Sequence, residues 1–118
     1  MKVKVVKVSS DELVFDNDVV LFSEHEQNCC ENHYLSFNDL TLADFEGLEF
    51  DLDSDSFFER VEDYGIRLIP LNGHPVAIPG YGSNNGYYSS NLSLCLCGGG
   101  GFEKTFDITS CQVIRDII

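Results

Sequence analysis

The sequence predicts a single α+β domain over residues 1–118, built mainly on an antiparallel β-sheet of seven or eight short strands with one or two short helices. Two observations predict this fold class. Short runs of β-branched and aromatic residues alternate with turn-forming residues along most of the chain, a pattern typical of antiparallel sheets. One segment, residues 55–64, instead spaces its apolar side chains as a short helix does.

The N-terminal third is predicted to form strands joined by a hairpin. Val3, Val5 and Val8 lie among lysines in a β-branched run, and two further apolar runs follow at residues 12–15 and 19–22. Asp16 and Asn17 separate these two runs, and both residue types tolerate the positive φ that a two-residue hairpin turn requires.

The middle of the chain is predicted to contain one strand and one helix. At residues 48–52, apolar and acidic side chains alternate with the period of a half-buried strand. Asp55 is a typical N-cap, and Gly65 is a typical residue at a helix end. Four residues would form the apolar face of the helix: Phe57, Phe58, Val61 and Tyr64.

The last third is predicted to complete the sheet with two hairpins. Residues 66–69 and 75–78 flank Asn72-Gly73, a strong hairpin signal. Leucines then alternate with serine and cysteine up to residue 97, and glycines 98–101 connect this run to residues 102–108. A final short strand is predicted at residues 113–114.

The chain is strongly acidic, with 20 Asp and Glu against 7 Lys and Arg, a net charge of −13. Binding to nucleic-acid phosphates or to anionic membranes requires clustered basic residues, so we expect neither partner.

Residues 39–63 hold ten acids against one base, Arg60. This pattern is typical of a solvated face, and mimicry of a nucleic-acid backbone is left open. A calcium loop at residues 51–62 is disfavoured because Ser56 occupies the required glycine position.

The cysteine count and the absence of hydrophobic targeting signals predict a cytoplasmic protein. There are five cysteines, an odd number, so at least one thiol is left over from any intramolecular pairing. The N-terminal residues lack the apolar region of a signal peptide, and no apolar run approaches the length of a membrane span.

Residues 25–33 concentrate two histidines, two cysteines and two carboxylates in nine positions. A zinc site from His25, Cys29, Cys30 and His33, completed by Cys95 and Cys97, is a weak alternative because the chain has no Cys-x-x-Cys pair. A thiol nucleophile is also disfavoured, since the neighbouring glutamates would raise the pKa of Cys29 and Cys30. We therefore predict no cofactor and no catalytic residue.

Residues 83–91 form a second candidate segment, in which two tyrosines are surrounded by Ser, Asn and Gly. This mixture provides rigid aromatic area with adaptable hydrogen bonding, as in recognition surfaces. The competing interpretation is a tight turn whose tyrosines pack at a strand end. The predicted ligand-binding or partner-binding residues of both segments are His25, Gln27, Cys29, Cys30, Glu31, His33, Asn85, Tyr87, Tyr88, Ser89 and Asn91.

These two motifs together resemble an uncharacterised family of small proteins from bacteriophages and from bacteria that carry prophages. Its members typically show His-acid-Gln-acid-Cys-Cys-Glu after an N-terminal hairpin and then Asn-Gly-Tyr-Tyr-Ser. The resemblance covers about three-quarters of this chain, with Asn28 where an acid is usual. It implies a phage origin, and it implies no catalytic residues.

The sequence therefore favours a non-enzymatic binding module of phage type in the host cytoplasm. As a counter-defence protein, it would bind a host protein or sequester a small, nucleotide-like ligand. Two alternatives stay open: a metal- or thiol-dependent enzyme centred on His25, Cys29, Cys30 and His33, and a structural homo-oligomer or virion-associated protein.

Overall fold

The computed structural model describes residues 2–24, 32–84 and 91–116, and in these residues the protein is all-β. The predicted α+β class is wrong, because the described residues form twelve strands and two 3-10-helical turns but no α-helix. None of the helical turns in these ranges is long and apolar enough to cross a membrane. The 3-10 turns span Leu42–Phe45 and Asp55–Phe57. The strands are β1 (Lys2–Val3), β2 (Val5–Val8), β3 (Glu12–Phe15), β4 (Val19–Glu24), β5 (Asn32–Leu35), β6 (Phe50–Asp51), β7 (Phe58–Val61), β8 (Gly65–Leu68), β9 (Val76–Asn84), β10 (Ser93–Gly98), β11 (Phe102–Asp107) and β12 (Val113–Asp116).

The first sheet has the order β11-β10-β4-β3-β2, with every neighbouring pair antiparallel. The predicted hairpin of β3 and β4 is present, with Leu13 opposite Leu21. Its connection has three residues, 16–18, where the sequence predicted two, and the positive φ (69°) falls on Asp18. Asn17 Oδ1 accepts the backbone N–H of Val19 at 3.2 Å, which closes this turn.

The predicted hairpin of β10 and β11 is also present. The alternation of leucines was interpreted correctly, because Leu92, Leu94 and Leu96 are all fully buried. Residues 98–101 all have positive φ, a backbone conformation that glycine adopts at little cost. Four glycines in a row therefore permit a connection that other residues would strain.

The second sheet has the order β12-β9-β8-β7, with β5 also paired to β9. Strand β12 runs parallel to β9, and the other pairs are antiparallel. The predicted hairpin of β8 and β9 exists, but residues 69–75 connect its strands instead of a two-residue Asn-Gly turn. Asn72 acts on a neighbouring loop instead, since its side chain accepts the N–H of Glu49 at 2.8 Å and donates to Gly47 O at 2.8 Å.

The helix predicted over residues 55–64 is wrong. Ser54 Oγ accepts the N–H of Ser56 and caps a single 3-10 turn, after which the chain continues as strand β7. Pairing with β8 satisfies the backbone of β7 and places Glu59 in an ion pair with Arg67. The two adjacent phenylalanines before and within β7 are both buried, which one stripe of a short helix would not achieve.

The core lies between the two sheets and is closed by the short ribbon of β1 and β6. The predicted strand at residues 48–52 is reduced to β6, which pairs with β1. Phe50 is fully buried there, with its ring centroid 6.1 Å from Phe15 and 6.5 Å from Phe45. Aromatic packing of this kind adds to the stabilisation from apolar burial.

Candidate functional site

The strand ends that flank the two candidate segments meet at one end of the molecule. Glu24, the last residue of β4, lies opposite Ser93 at the start of β10. Asn32, the first residue of β5, lies opposite Ser83 near the end of β9. The backbone N–H of Leu35 donates to Ser23 Oγ at 3.0 Å and links β5 to β4. The described residues on either side of positions 25–31 and 85–90 therefore lie on neighbouring, paired strands.

Most of the predicted site residues lie outside the described residues: His25, Gln27, Cys29, Cys30, Glu31, Asn85, Tyr87, Tyr88 and Ser89. His33 and Asn91 are described. Asn91 is half-buried and precedes Leu92, whose N–H donates to Thr109 Oγ1 at 3.2 Å. Asn91 thus lies directly before a residue whose backbone is hydrogen-bonded to Thr109.

His33 is buried in the second sheet, where its ring orientation is set by Gln112. The Nδ1 atom of His33 lies 2.7 Å from Gln112 Oε1, and the two side chains are 4% and 3% exposed. Gln112 Nε2 donates to Thr109 O at 2.8 Å, so Oε1 is the acceptor and Nδ1 of His33 carries the proton. The lone pair of a neutral His33 is consequently on Nε2, the arrangement common in metal-binding histidines.

Gly82 makes room for this buried pair. It lies opposite His33 in the β5–β9 register. A Cβ atom at residue 82 would overlap the imidazole of His33 and the side-chain oxygen of Gln112. Because residue 82 has no side chain, His33 and Gln112 can approach each other closely enough to form their hydrogen bond.

Cys95 is a poor candidate for thiolate chemistry. Cys95 Sγ lies 3.6 Å from Glu24 Oε2. Burial, and secondly the Glu24 carboxylate, raise the pKa of this thiol from 9.0 to about 11. The neutral thiol therefore predominates near pH 7, whereas a nucleophile or metal ligand must be a thiolate.

Among the described residues of the two-segment zinc hypothesis, His33 lies on a different face of its sheet from Cys95 and Cys97. Cys95 and Cys97 lie on the face of β10 opposite to that of the buried Leu94 and Leu96, whereas His33 shares the inward face of β5 with Leu35. Within residues 2–24, 32–84 and 91–116, no three His, Cys, Asp or Glu side chains lie close enough together to hold a metal ion. Any zinc site at His33 would depend on ligands from residues 25–31.

A row of wholly or partly exposed side chains crosses the second sheet on strands β5, β9 and β12, and the sequence analysis missed it. Tyr34 lies opposite Tyr81, and Val113 lies opposite Tyr81 on the parallel strand β12. The tyrosine ring centroids are 6.0 Å apart with an angle of 47° between the rings. Tyr34 is 40% exposed and Val113 is 39% exposed. We call these three residues the tyrosine row.

The acidic residues 39–63 are distributed over turns and strand ends. Asp44 Oδ2 accepts the N–H of Thr41 at 2.8 Å and caps the first 3-10 turn. Asp55 forms an ion pair with Lys104 at 3.1 Å. Asp51 Oδ1 accepts the N–H of Asp53 at 3.1 Å within a turn. Several of these carboxylates thus stabilise local structure.

Comparison with models of known protein families gave no match, and neither curated proteins nor solved structures gave one.

Proposed function

We propose that the protein is a non-enzymatic binding module whose recognition surface combines the tyrosine row with residues 25–31 and 85–90. The partner would be a host protein or a small, nucleotide-like ligand, as expected for a counter-defence protein of phage type. The observation that carries this proposal is the ring contact of the exposed Tyr34 with the half-buried Tyr81, on strands that border both segments.

Physical chemistry favours such a surface for recognition. A tyrosine offers a large apolar ring with few rotatable bonds, so little conformational entropy is lost on binding, and its hydroxyl group can hydrogen bond. Here the two rings stand on paired strands, above the buried contact of His33 with Gln112. A rigid support of this kind reduces the cost of ordering the surface on binding.

A pull-down from the lysate of the natural host tests the proposal, with mass spectrometry of retained proteins and small molecules. Tyr34→Ser should lose the retained partner, because truncating an anchor tyrosine costs about 2 kcal/mol or more, roughly a 30-fold loss of affinity. Tyr64→Ser is the matched control, since Tyr64 is also 40% exposed but lies in the turn between β7 and β8.

Equal retention by Tyr34→Ser and Tyr64→Ser would contradict a role for the tyrosine row. The double variant Tyr87→Ala, Tyr88→Ala applies the same test to the second segment. Circular dichroism of each variant separates loss of binding from loss of fold.

The orientation of His33 supports a second candidate function, a zinc-dependent one. With its Nδ1–H donated to Gln112, His33 would offer Nε2 as a ligand alongside His25, Cys29 and Cys30. Elemental analysis of the purified protein distinguishes the two candidates. Stoichiometric zinc that is lost in His33→Gln would favour the metal site, and substoichiometric zinc would favour the binding module.

A further inference from the structure

A separate groove runs along the free edge of the first sheet. Strand β2 is the last strand of the order β11-β10-β4-β3-β2, and within the described part of the chain β3 is its one partner in that sheet. Between this edge and the 3-10 turn Leu42–Phe45 lies a groove of about 510 Å³. The groove lies on the first sheet, whereas the tyrosine row lies on strands β5, β9 and β12 of the second sheet, so the two surfaces are distinct.

The groove combines a buried floor with exposed apolar rims. Val5 and Phe45, which line it, belong to the core and are 6% and 2% exposed. Val6 on the strand and Leu42 on the turn are 51% and 50% exposed, among the most exposed large apolar side chains described. Covering both would remove apolar surface from water, which favours an occupant with an apolar side chain.

The strand side of this groove is basic, although the protein as a whole is strongly acidic. Lys2, Lys4 and Lys7 are exposed here and make up three of the seven basic residues in a chain of net charge −13. Lys4 lines the groove on the strand side, and Glu46 lines it on the side of the 3-10 turn. None of the three forms an ion pair with a residue that the structure describes. An occupant with carboxylates would complement them.

We propose that the edge of β2 binds an extended acidic segment of another protein, in which apolar and acidic residues alternate. The segment adds to the sheet as a strand, places an apolar side chain over Val6 and Leu42, and directs carboxylates towards Lys4 and Lys7. Strand addition to an open sheet edge is a common mode of peptide recognition, with main-chain hydrogen bonds giving affinity and pockets giving specificity.

The charges favour a different protein over a second copy of this chain. Two copies joined edge to edge through β2 would bring six lysines together, and like charges opposite each other destabilise a strand pair. Lysines on an edge also discourage such self-association. An acidic segment turns the same lysines into favourable partners.

Fluorescence anisotropy with a short labelled peptide of alternating glutamate and valine tests this proposal. We expect saturable binding to the full-length protein, and at least a tenfold weaker Kd for Leu42→Glu and for Lys4→Glu. Leu71→Glu is the matched control, because Leu71 is 56% exposed but lies in the connection between β8 and β9, outside the groove. Its Kd should equal that of the unmodified protein.

Two further probes give the strand-addition model its own test. A peptide with lysine in place of glutamate should not bind, and N-methylation of alternate peptide bonds should abolish binding by removing main-chain donors. Absence of saturable binding, or equal binding of the lysine peptide, would overturn the proposal. A dimer in light scattering that Leu42→Glu dissociates would also overturn it, since the occupant would then be a second copy.

Discussion

Replacement of Gly82 by alanine should strongly destabilise the protein, because this glycine supports the structure beneath the tyrosine row. The added Cβ would overlap the imidazole of His33 and the side-chain oxygen of Gln112. Neither neighbour can move into solvent, since both are more than nine-tenths buried. The hydrogen bond of 2.7 Å between them would have to break.

The expected cost follows from these two effects. Overpacking a tight interior costs about 1–3 kcal/mol. Leaving a buried polar group without its partner costs a further ~1–3 kcal/mol. The free energy of unfolding should therefore fall by about 2–6 kcal/mol, and at ~4 °C per kcal/mol the Tm should fall by about 8–24 °C.

Urea unfolding followed by circular dichroism measures this cost, and a double-mutant cycle with His33→Ala identifies its cause. Removing the imidazole vacates the space, so Gly82→Ala should cost at least ~1 kcal/mol less in the His33→Ala background.

Gly100→Ala is a useful comparison, because residue 100 has open space around it but a φ of 82°. It should show a backbone cost of about 1–2 kcal/mol without coupling to His33. Additive costs of Gly82→Ala and His33→Ala would refute the steric argument.

Two further predictions concern a thiol and a loop. Because the pKa of Cys95 is raised from 9.0 to about 11, first by burial and then by Glu24, the folded state holds this proton more tightly than the unfolded chain. The resulting stabilisation is complete below pH 9 and is lost as the pH rises towards 11. The free energy of unfolding should therefore fall more steeply with pH over this interval than it does in Cys95→Ala. Identical slopes in the two proteins would contradict a raised pKa for Cys95. Asn72→Ala should cost about 1–2 kcal/mol in urea unfolding because two hydrogen bonds to residues 47 and 49 are lost, while Asn72→Asp, which keeps the acceptor, should cost less.

Local sequence patterns predicted the hairpins well, because those patterns reflect pairing between neighbours in the chain. The apolar runs at residues 12–15 and 19–22 predicted β3 and β4, and the buried leucines of β10 followed from a period of two. The predicted helix at residues 55–64 failed because the local spacing of apolar residues carries no information about strand pairing. Pairing with β8 decided between the two structures, and that pairing is a tertiary interaction.

The tyrosine row could not be found by the same means. Tyr34 and Tyr81 are 47 positions apart, and their proximity depends on the antiparallel register of β5 with β9. A partial signal was present in the sequence. Tyr81 lies between Gly80 and Gly82, so one face of this strand carries an aromatic ring while the other carries no side chain.

This asymmetry of β9 connects the core to the proposed recognition surface. On the inward face, residues 80 and 82 leave room for other chain segments: a Cβ at residue 80 would overlap the carbonyl oxygen of Cys111, and one at residue 82 would overlap His33. Strands β5 and β12 can therefore both pair closely with β9. Their outward residues, Tyr34 and Val113, are brought level with Tyr81 by the same registers. The glycines that permit the inward contacts thus determine the position of the tyrosine row, and a change that displaces either strand should weaken binding even where the tyrosines are unchanged.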